Sequence, residues 1–84
     1  MPEIEVGHVV GYFAKIGVAA VELTGTLRLG DTIRVRGHTT DFTQVVESMQ
    51  IEHQAVSEAK AGDSVGIKVI DRVRKGDRVY VVTE

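Results

Sequence analysis

The sequence contains no cysteine and no tryptophan, only one proline, and just two phenylalanines and two tyrosines. Without cysteine the chain cannot form a disulfide framework, a thiolate zinc site or a cysteine nucleophile. No apolar run approaches the ~18 residues that a membrane span requires, and no secretory leader pattern is visible. We therefore expect a cytoplasmic protein with no membrane partner.

Charge of one sign is also lacking, since 10 Lys and Arg residues face 12 Asp and Glu residues, for a net charge of −2. This balance excludes the broad basic field of a general nucleic-acid coating protein, although a local basic patch is still allowed. A hydrophobic content of 43% with 26% charged residues is typical of a globular fold. The length of 84 residues predicts a single domain over 1–84.

Apolar and polar residues alternate with a period of two along most of the chain, which predicts strands. In the first strand this alternation places Val6 and Val10 towards the core and Val9 away from it. A pair of adjacent apolar residues, Val45 and Val46, predicts a β-bulge in the fourth strand. Six strands are expected, at about 4–12, 18–23, 32–36, 42–52, 65–70 and 78–83.

The strand pattern predicts an all-β fold. Six strands in an open sheet would expose edges to other chains, so a closed six-stranded barrel is favoured. The one window with helical spacing, 48–60, has too poor an apolar face to hold a helix by itself. A helix there is the weaker alternative.

A Gly-Asp pair occurs three times, and one residue after each pair a β-branched apolar residue opens a strand. Glycine allows the positive φ of a tight turn, and aspartate accepts bonds from nearby backbone amides. The alternative is that the three carboxylates converge on a metal ion or act as acid and base. Turns spread around a barrel rim would keep them apart, so we expect no metal and no cofactor. The structural turn residues are Gly30, Asp31, Gly62, Asp63, Gly76 and Asp77.

Five segments, in this order and spacing, resemble domain 2 of elongation factor Tu. The resemblance covers roughly residues 4–83 and implies a six-stranded Greek-key barrel. The segments are Gly-His-Val-Val-Gly (7–11), Gly-Thr-Leu-Arg-Leu-Gly-Asp-Thr-Ile-Arg-Val-Arg-Gly (25–37), Glu-Ser-Met-Gln (47–50), Ala-Lys-Ala-Gly-Asp-Ser-Val-Gly-Ile (59–67) and Arg-Lys-Gly-Asp-Arg-Val (74–79).

Two further runs are similar to those of stand-alone translation elongation factor-like proteins. They are Tyr-Phe-Ala-Lys-Ile-Gly-Val-Ala (12–19) and Gly-His-Thr-Thr-Asp-Phe-Thr-Gln (37–44). A similar barrel closes the chain of some collagenase-like peptidase-family proteins, relatives of which take part in RNA modification. The resemblance implies a module that works beside another protein or an RNA.

Two departures from the family limit what the resemblance carries. The chain has no Gly-x-x-x-x-Gly-Lys-Ser/Thr phosphate loop, so we expect no GTPase activity and no bound nucleotide. Ser48 and Lys68 stand where the family's pocket for the terminal adenosine of aminoacyl-tRNA has an acidic and an apolar residue. None of that pocket's binding residues is carried over to this chain.

Basic residues are concentrated in two stretches of the chain, which form the candidate nucleic-acid site. Side by side, they would contact several phosphates, with Tyr12, Phe13 or Phe42 offering faces for base stacking. The alternative is a solvated wall whose cations pair with Glu22, Glu47, Asp71 and Asp77. The candidate residues are Arg34, Arg36, His38, Arg72, Arg74, Lys75 and Arg78.

The first hypothesis for function is a non-catalytic barrel that contacts RNA or a ribonucleoprotein in translation or RNA modification. The alternative is a protein-interaction module, either an accessory subunit of a larger enzyme or a homo-oligomer. Its motivation is the apolar side chains of Val9, Phe13 and Val82 on the outward parity. An independent enzyme is not expected, because the three histidines match no zinc-site spacing and no catalytic constellation is recognisable.

Overall fold

The computed structural model describes residues 2–83, in which every regular element is a β-strand. The all-β prediction is therefore confirmed, and the helical alternative over 48–60 is wrong. The ten strands are β1 (Glu3–Phe13), β2 (Val18–Leu23), β3 (Leu27–Arg28), β4 (Thr32–Arg36), β5 (Asp41–Val45), β6 (Met49–Ile51), β7 (Gln54–Ala55), β8 (Glu58–Ala59), β9 (Ser64–Lys68) and β10 (Arg78–Val82). The described residues contain no helix long and apolar enough to cross a bilayer.

Eight strands form one antiparallel sheet in the order β5-β4-β10-β1-β2-β9-β6-β7, and β3 pairs with β8 in a separate ribbon. The predicted number of six strands was wrong. Strands β3, β7 and β8 are only two residues long, too short for alternation to reveal them. The strand predicted over 42–52 is divided into two, because β5 pairs with β4 whereas β6 pairs with β9.

The hydrogen-bond ladder of residues 2–83 does not close into a barrel, since β5 and β7 end the sheet order. The closed six-stranded barrel is therefore not the observed arrangement. At the division, the Val46 amide donates to the Asp31 carbonyl at 2.8 Å, and the Val46 side chain is buried. The side chain of Gln44 connects β5 to the end of β9 and the residues after it. It donates to the Lys68 carbonyl at 2.8 Å and accepts from the Ile70 amide at 2.7 Å.

Strand β1 carries two irregularities of register, one between Glu5 and Gly7 and one between Val9 and Gly11. An extra residue in one strand reverses the face on which the following side chains lie. As a result Val9 is buried, while Val10 is 39% exposed. The expected positions of these two valines were therefore wrong, because a strict period of two does not pass through a bulge.

The core lies between the two halves of the curved sheet and consists of aliphatic side chains. Its largest fully buried members come from strands that are far apart in sequence, so the core forms only when the whole chain is folded. They are Leu23, Leu27, Ile33, Met49 and Ile67. Tyr12 and Phe42 are partly buried against this core.

The three Gly-Asp pairs form turns of one geometry. The glycines have φ of 89°, 94° and 97°, and each aspartate amide donates to the carbonyl three residues earlier at 3.0–3.1 Å, as in a type II turn. Each carboxylate also accepts from the amide of that same residue at 2.9 Å.

Each Gly-Asp turn is also attached to a buried residue by two backbone bonds of 2.7–2.9 Å. The glycine amide donates to that residue's carbonyl, and the residue's own amide donates to the aspartate carbonyl. The turns thus anchor strand entry to the core at three separate places. The pairings are Gly30-Asp31 with Val46, Gly62-Asp63 with Leu23, and Gly76-Asp77 with Val9.

Candidate functional site

The β4–β10 ladder brings the two basic stretches of the sequence together. Arg36 lies directly opposite Arg78, and Arg34 lies opposite Tyr80. The loop that follows β4 carries His38, and the segment before β10 carries Arg72, Arg74 and Lys75. The seven residues predicted as a nucleic-acid site therefore belong to adjacent elements of the fold.

Three of the seven are held by carboxylates. Arg34 donates to both oxygens of Asp41 and to Glu3, each at 2.9 Å. Arg78 donates to Glu5 at 3.0 Å, and a guanidinium nitrogen of Arg36 lies 3.9 Å from Glu3. The predicted partners Glu22, Glu47, Asp71 and Asp77 were wrong. In the sheet, β10 lies between β4 and β1, so the glutamates of β1 are the acidic residues close to the arginines of β4 and β10.

These contacts reinforce the charged state of the pair formed by Arg34 and Asp41. Hydrogen bonds from Arg34 hold the pKa of the Asp41 carboxyl below its usual value, and bonds to Asp41 and then Glu3 raise the pKa of Arg34. A phosphate that approached Arg34 would have to displace both carboxylates. Arg34 is thus a poor anion ligand in this conformation.

We expect Asp41→Asn to destabilise the protein at pH 7 but much less at low pH. A carboxyl whose pKa is lowered by folding contributes stability above its unfolded value of about 3.9, and that stability disappears as the pH falls through the lower folded value. The effect should be small, because the Asp41 side chain is 58% exposed. Urea midpoints measured from pH 7 to pH 2 test this, with Asp71→Asn as the control. A difference between wild type and Asp41→Asn that is equally large at pH 2 would contradict the expectation.

The other four candidates, His38, Arg72, Arg74 and Lys75, are exposed. Arg72 and Arg74 line a depression of about 250 Å³ together with Asp41 and Asp71. Two cations beside two carboxylates do not produce the concentrated positive potential that draws a nucleic-acid backbone. Charge at this end of the molecule is mixed.

Across residues 2–83, no group of three or more His, Asp or Glu side chains is placed to hold a metal ion. Asp31, Asp63 and Asp77 each bond to the backbone of their own turn. Their carboxylates serve local structure.

A second depression, of about 260 Å³, lies on the outward face of β1, β2, β9 and β6, and we call it the outer groove. Directly paired residues of antiparallel strands share a face, so the register arranges the outward side chains in rows across the strands. The middle row is the floor of the groove, and three of its four residues are glycine or alanine. It consists of Gly11, Ala20, Gly66 and Gln50.

One wall of the outer groove is apolar. It begins with the paired row of Phe13, Val18 and Lys68 and is extended by Ile16 in the turn after β1. Phe13 is 57% exposed and Ile16 64% exposed. Of the three apolar residues predicted to face outwards, Phe13 is therefore placed as expected, Val9 is buried and Val82 is half-buried.

The opposite wall is acidic. Glu52, which follows β6, and Ser64 line this side of the groove, and Glu22 pairs with Ser64 across β2 and β9. Within residues 2–83, neither glutamate takes part in an ion pair. Glu52 and His53 form a two-residue hairpin turn with φ of 50° and 66°. The sequence did not reveal this turn, because such turns usually carry Asn-Gly.

The chain matches known proteins over most of its length. A family model described as elongation factor Tu domain 2 matches residues 20–71. An uncharacterized protease of Methanocaldococcus jannaschii is 48% identical over 83 residues, which are 98% of this chain and 20% of that protein. A collagenase of Porphyromonas gingivalis is 39% identical over 80 residues, which are 93% of this chain and 19% of the collagenase.

Solved structures agree with this assignment. The C-terminal domain of a Geobacillus thermoleovorans protein described as a U32 peptidase superposes with a TM-score of 0.87 at 26% identity, covering 93% of this chain and 91% of that domain. Its selenomethionine variant gives 0.85 at 27% identity, covering 89% and 95%. The chain thus spans about a fifth of the length of the curated relatives it matches. With more than half of its residues matched by the family model, the chain belongs to the elongation factor Tu domain 2 family.

Proposed function

We propose that this chain is a non-catalytic accessory module that binds a larger protein of the U32 peptidase type. The observation that carries the proposal is the extent of the matches. Proteins named protease or collagenase match nearly all of this chain but only about a fifth of their own length. A domain that accounts for so small a part of such proteins supports the rest of them by binding or positioning.

The surface of the molecule supports binding to a protein. The outer groove exposes a phenylalanine and an isoleucine side by side, and exposed aromatic and aliphatic clusters mark interaction sites more often than general solvent-facing surface. A depression of about 260 Å³ is below the usual range of about 300–1,000 Å³ for small-molecule sites. A segment of another protein therefore fits it better than a substrate or cofactor.

Contact with RNA is the second candidate, favoured by the gathering of His38, Arg72, Arg74 and Lys75 at one end of the molecule. It is weaker for two reasons. The arginines of the sheet are engaged by carboxylates. The one strongly exposed aromatic side chain among residues 2–83, Phe13, lines the outer groove and not the depression formed by Arg72 and Arg74.

The test is to recover what binds the tagged chain at native abundance, with and without ribonuclease. We expect a peptidase-type protein in stoichiometric amount whose retention is unchanged by ribonuclease. We also expect the purified chain alone to release no peptides from casein or gelatin, because it has no catalytic constellation.

Two results would overturn the proposal. Recovery of RNA alone, lost on ribonuclease treatment or between 50 mM and 200 mM salt, would favour the second candidate. If the purified chain hydrolyses gelatin, and inhibitors of contaminating proteases do not stop the reaction, the module is itself catalytic.

A further inference from the structure

Resting on the proposed function, we propose that the outer groove holds an extended partner segment in which apolar and basic residues alternate. The groove is the site, and the partner is defined by the chemistry of its two walls. Phe13, Ile16 and Val18 form one wall. On the opposite side Glu52 and Ser64 line the groove, and Glu22 is paired with Ser64 directly beyond it. Glycine and alanine make up most of the floor between them, and Gln50 is its one long side chain.

The floor determines the shape of the partner. Gly11, Ala20 and Gly66 lie in one row across three neighbouring strands, so the trough runs across the strands. A Cβ atom built on Gly66 would lie 3.1 Å from a Val18 methyl group, which shows how closely that wall borders the floor. An extended segment fits such a trough, because its backbone can lie close to a floor made largely of glycine and alanine.

The walls determine the order of side chains. Successive side chains of an extended segment point to opposite sides, so one set meets the apolar wall and the next set meets the acidic wall. Cations are the complement of Glu22 and Glu52, which have no ion-pair partner within residues 2–83. Lys68 lies at the end of the apolar wall and disfavours a basic partner residue there. Its charge therefore favours the same order, with apolar partner residues on this wall and basic ones on the acidic wall.

The curated relatives contain a long stretch of chain outside the matched region, and the partner segment would come from the corresponding part of such a protein. About four fifths of each relative lies outside the region that this chain matches. A module that matches only a fifth of such proteins has a large remaining length of partner chain available to occupy its exposed surface. The occupant is therefore a segment of the peptidase-type partner, and neither RNA nor a second copy of this chain.

The experiment titrates the ¹⁵N-labelled chain with synthetic peptides and follows its amide signals. The probe is Ac-Gly-Val-Lys-Val-Lys-Val-Gly-NH₂. The controls are its acidic version, with Glu for Lys, and a block isomer of the same composition, Ac-Gly-Val-Val-Val-Lys-Lys-Gly-NH₂. We expect saturable shifts at Val18, Ala20 and Gly66 with the alternating basic peptide, and about tenfold weaker binding of the acidic one, since each exposed ion pair adds only a few-fold in affinity.

Charge reversal separates the groove from the rest of the surface. Glu22→Lys with Glu52→Lys should invert the preference, so that the acidic peptide binds better than the basic one. Glu47→Lys with Asp71→Lys changes the net charge equally outside the acidic wall and should leave the preference unchanged. Intact spectra of both variants in the absence of peptide show that the fold is retained.

Equal shifts with all three peptides, or saturable shifts confined to Arg72 and Arg74, would overturn the inference. Groove signals that change with protein concentration in the absence of peptide would assign the surface to a second copy instead. The proposed function can fail separately. If the native partner is still recovered with the Glu22→Lys and Glu52→Lys variant, the accessory role stands and the groove assignment falls.

Discussion

Replacing Gly37 by alanine is expected to destabilise the fold by about 3 kcal/mol, at the upper end of the usual cost of overpacking. A Cβ atom at this position would overlap Oδ1 of Asp77 and lie 2.5 Å from its Cγ. Asp77 cannot move aside cheaply. It is 4% exposed, its carboxylate accepts from the Arg74 amide at 2.9 Å, and its carbonyl accepts from the Val9 amide at 2.7 Å.

Two variants make this expectation specific, each measured by urea unfolding. Gly11→Ala is the matched control, because a Cβ at position 11 meets only the Ala20 methyl at 3.8 Å and should be neutral or slightly stabilising. Asp77→Ala should cost about 1–3 kcal/mol by itself. Adding Gly37→Ala to it should cost almost nothing more, since the obstacle is gone. Additive losses in the double variant would show that the carboxylate is not what excludes a side chain at position 37.

Leu27→Ala is expected to cost about 3 kcal/mol, within the range measured for leucine truncation in cores. Leu27 is 0% exposed although its strand, β3, has only two residues. A domain of this length is stable by roughly 4–13 kcal/mol, so the loss is a large fraction of the total. Leu29→Ala, two residues away and 42% exposed, should cost less than about 1 kcal/mol.

The Leu27 comparison tests whether the short ribbon of β3 and β8 belongs to the cooperative core. Ala59, the ladder partner of Leu27, is also buried, so both strands of the ribbon contribute to the packed interior. Equal effects of Leu27→Ala and Leu29→Ala would mean that the ribbon unfolds locally before the rest of the sheet. Hydrogen exchange of the Leu27 and Ala59 amides would report that local opening directly.

The basic end of the molecule and the outer groove differ in how their charged side chains are used. At the basic end of the molecule, Arg34, Arg36 and Arg78 are engaged by Glu3, Glu5 and Asp41. At the outer groove Phe13 is exposed, and within residues 2–83 neither Glu52 nor the neighbouring Glu22 forms an ion pair. Unused charge beside unused apolar surface is the combination that a protein partner recognises.

Much of the candidate site could not be inferred from the sequence. The basic residues were visible as a cluster, but two of their carboxylate partners, Glu3 and Glu5, come from β1. Glu3 is 31 positions from Arg34, and only Asp41 is near it in the sequence. The outer groove was invisible as a row, because Gly11, Ala20, Gly66 and Gln50 become neighbours only through three ladders. Phe13 was the one part of it that alternation placed outside.

By itself the sequence determined the features that depend on neighbouring residues: the strand-forming alternation, the Gly-Asp turns, the absence of thiol chemistry and the resemblance to elongation factor Tu domain 2. Only the tertiary structure decided which face of β1 is buried, where the strand over 42–52 divides, and which carboxylates meet the arginines. The reason is physical. Turn and strand preferences act within a few residues, whereas bulges, ion pairs and grooves depend on the register between strands, which is set by packing of the whole core.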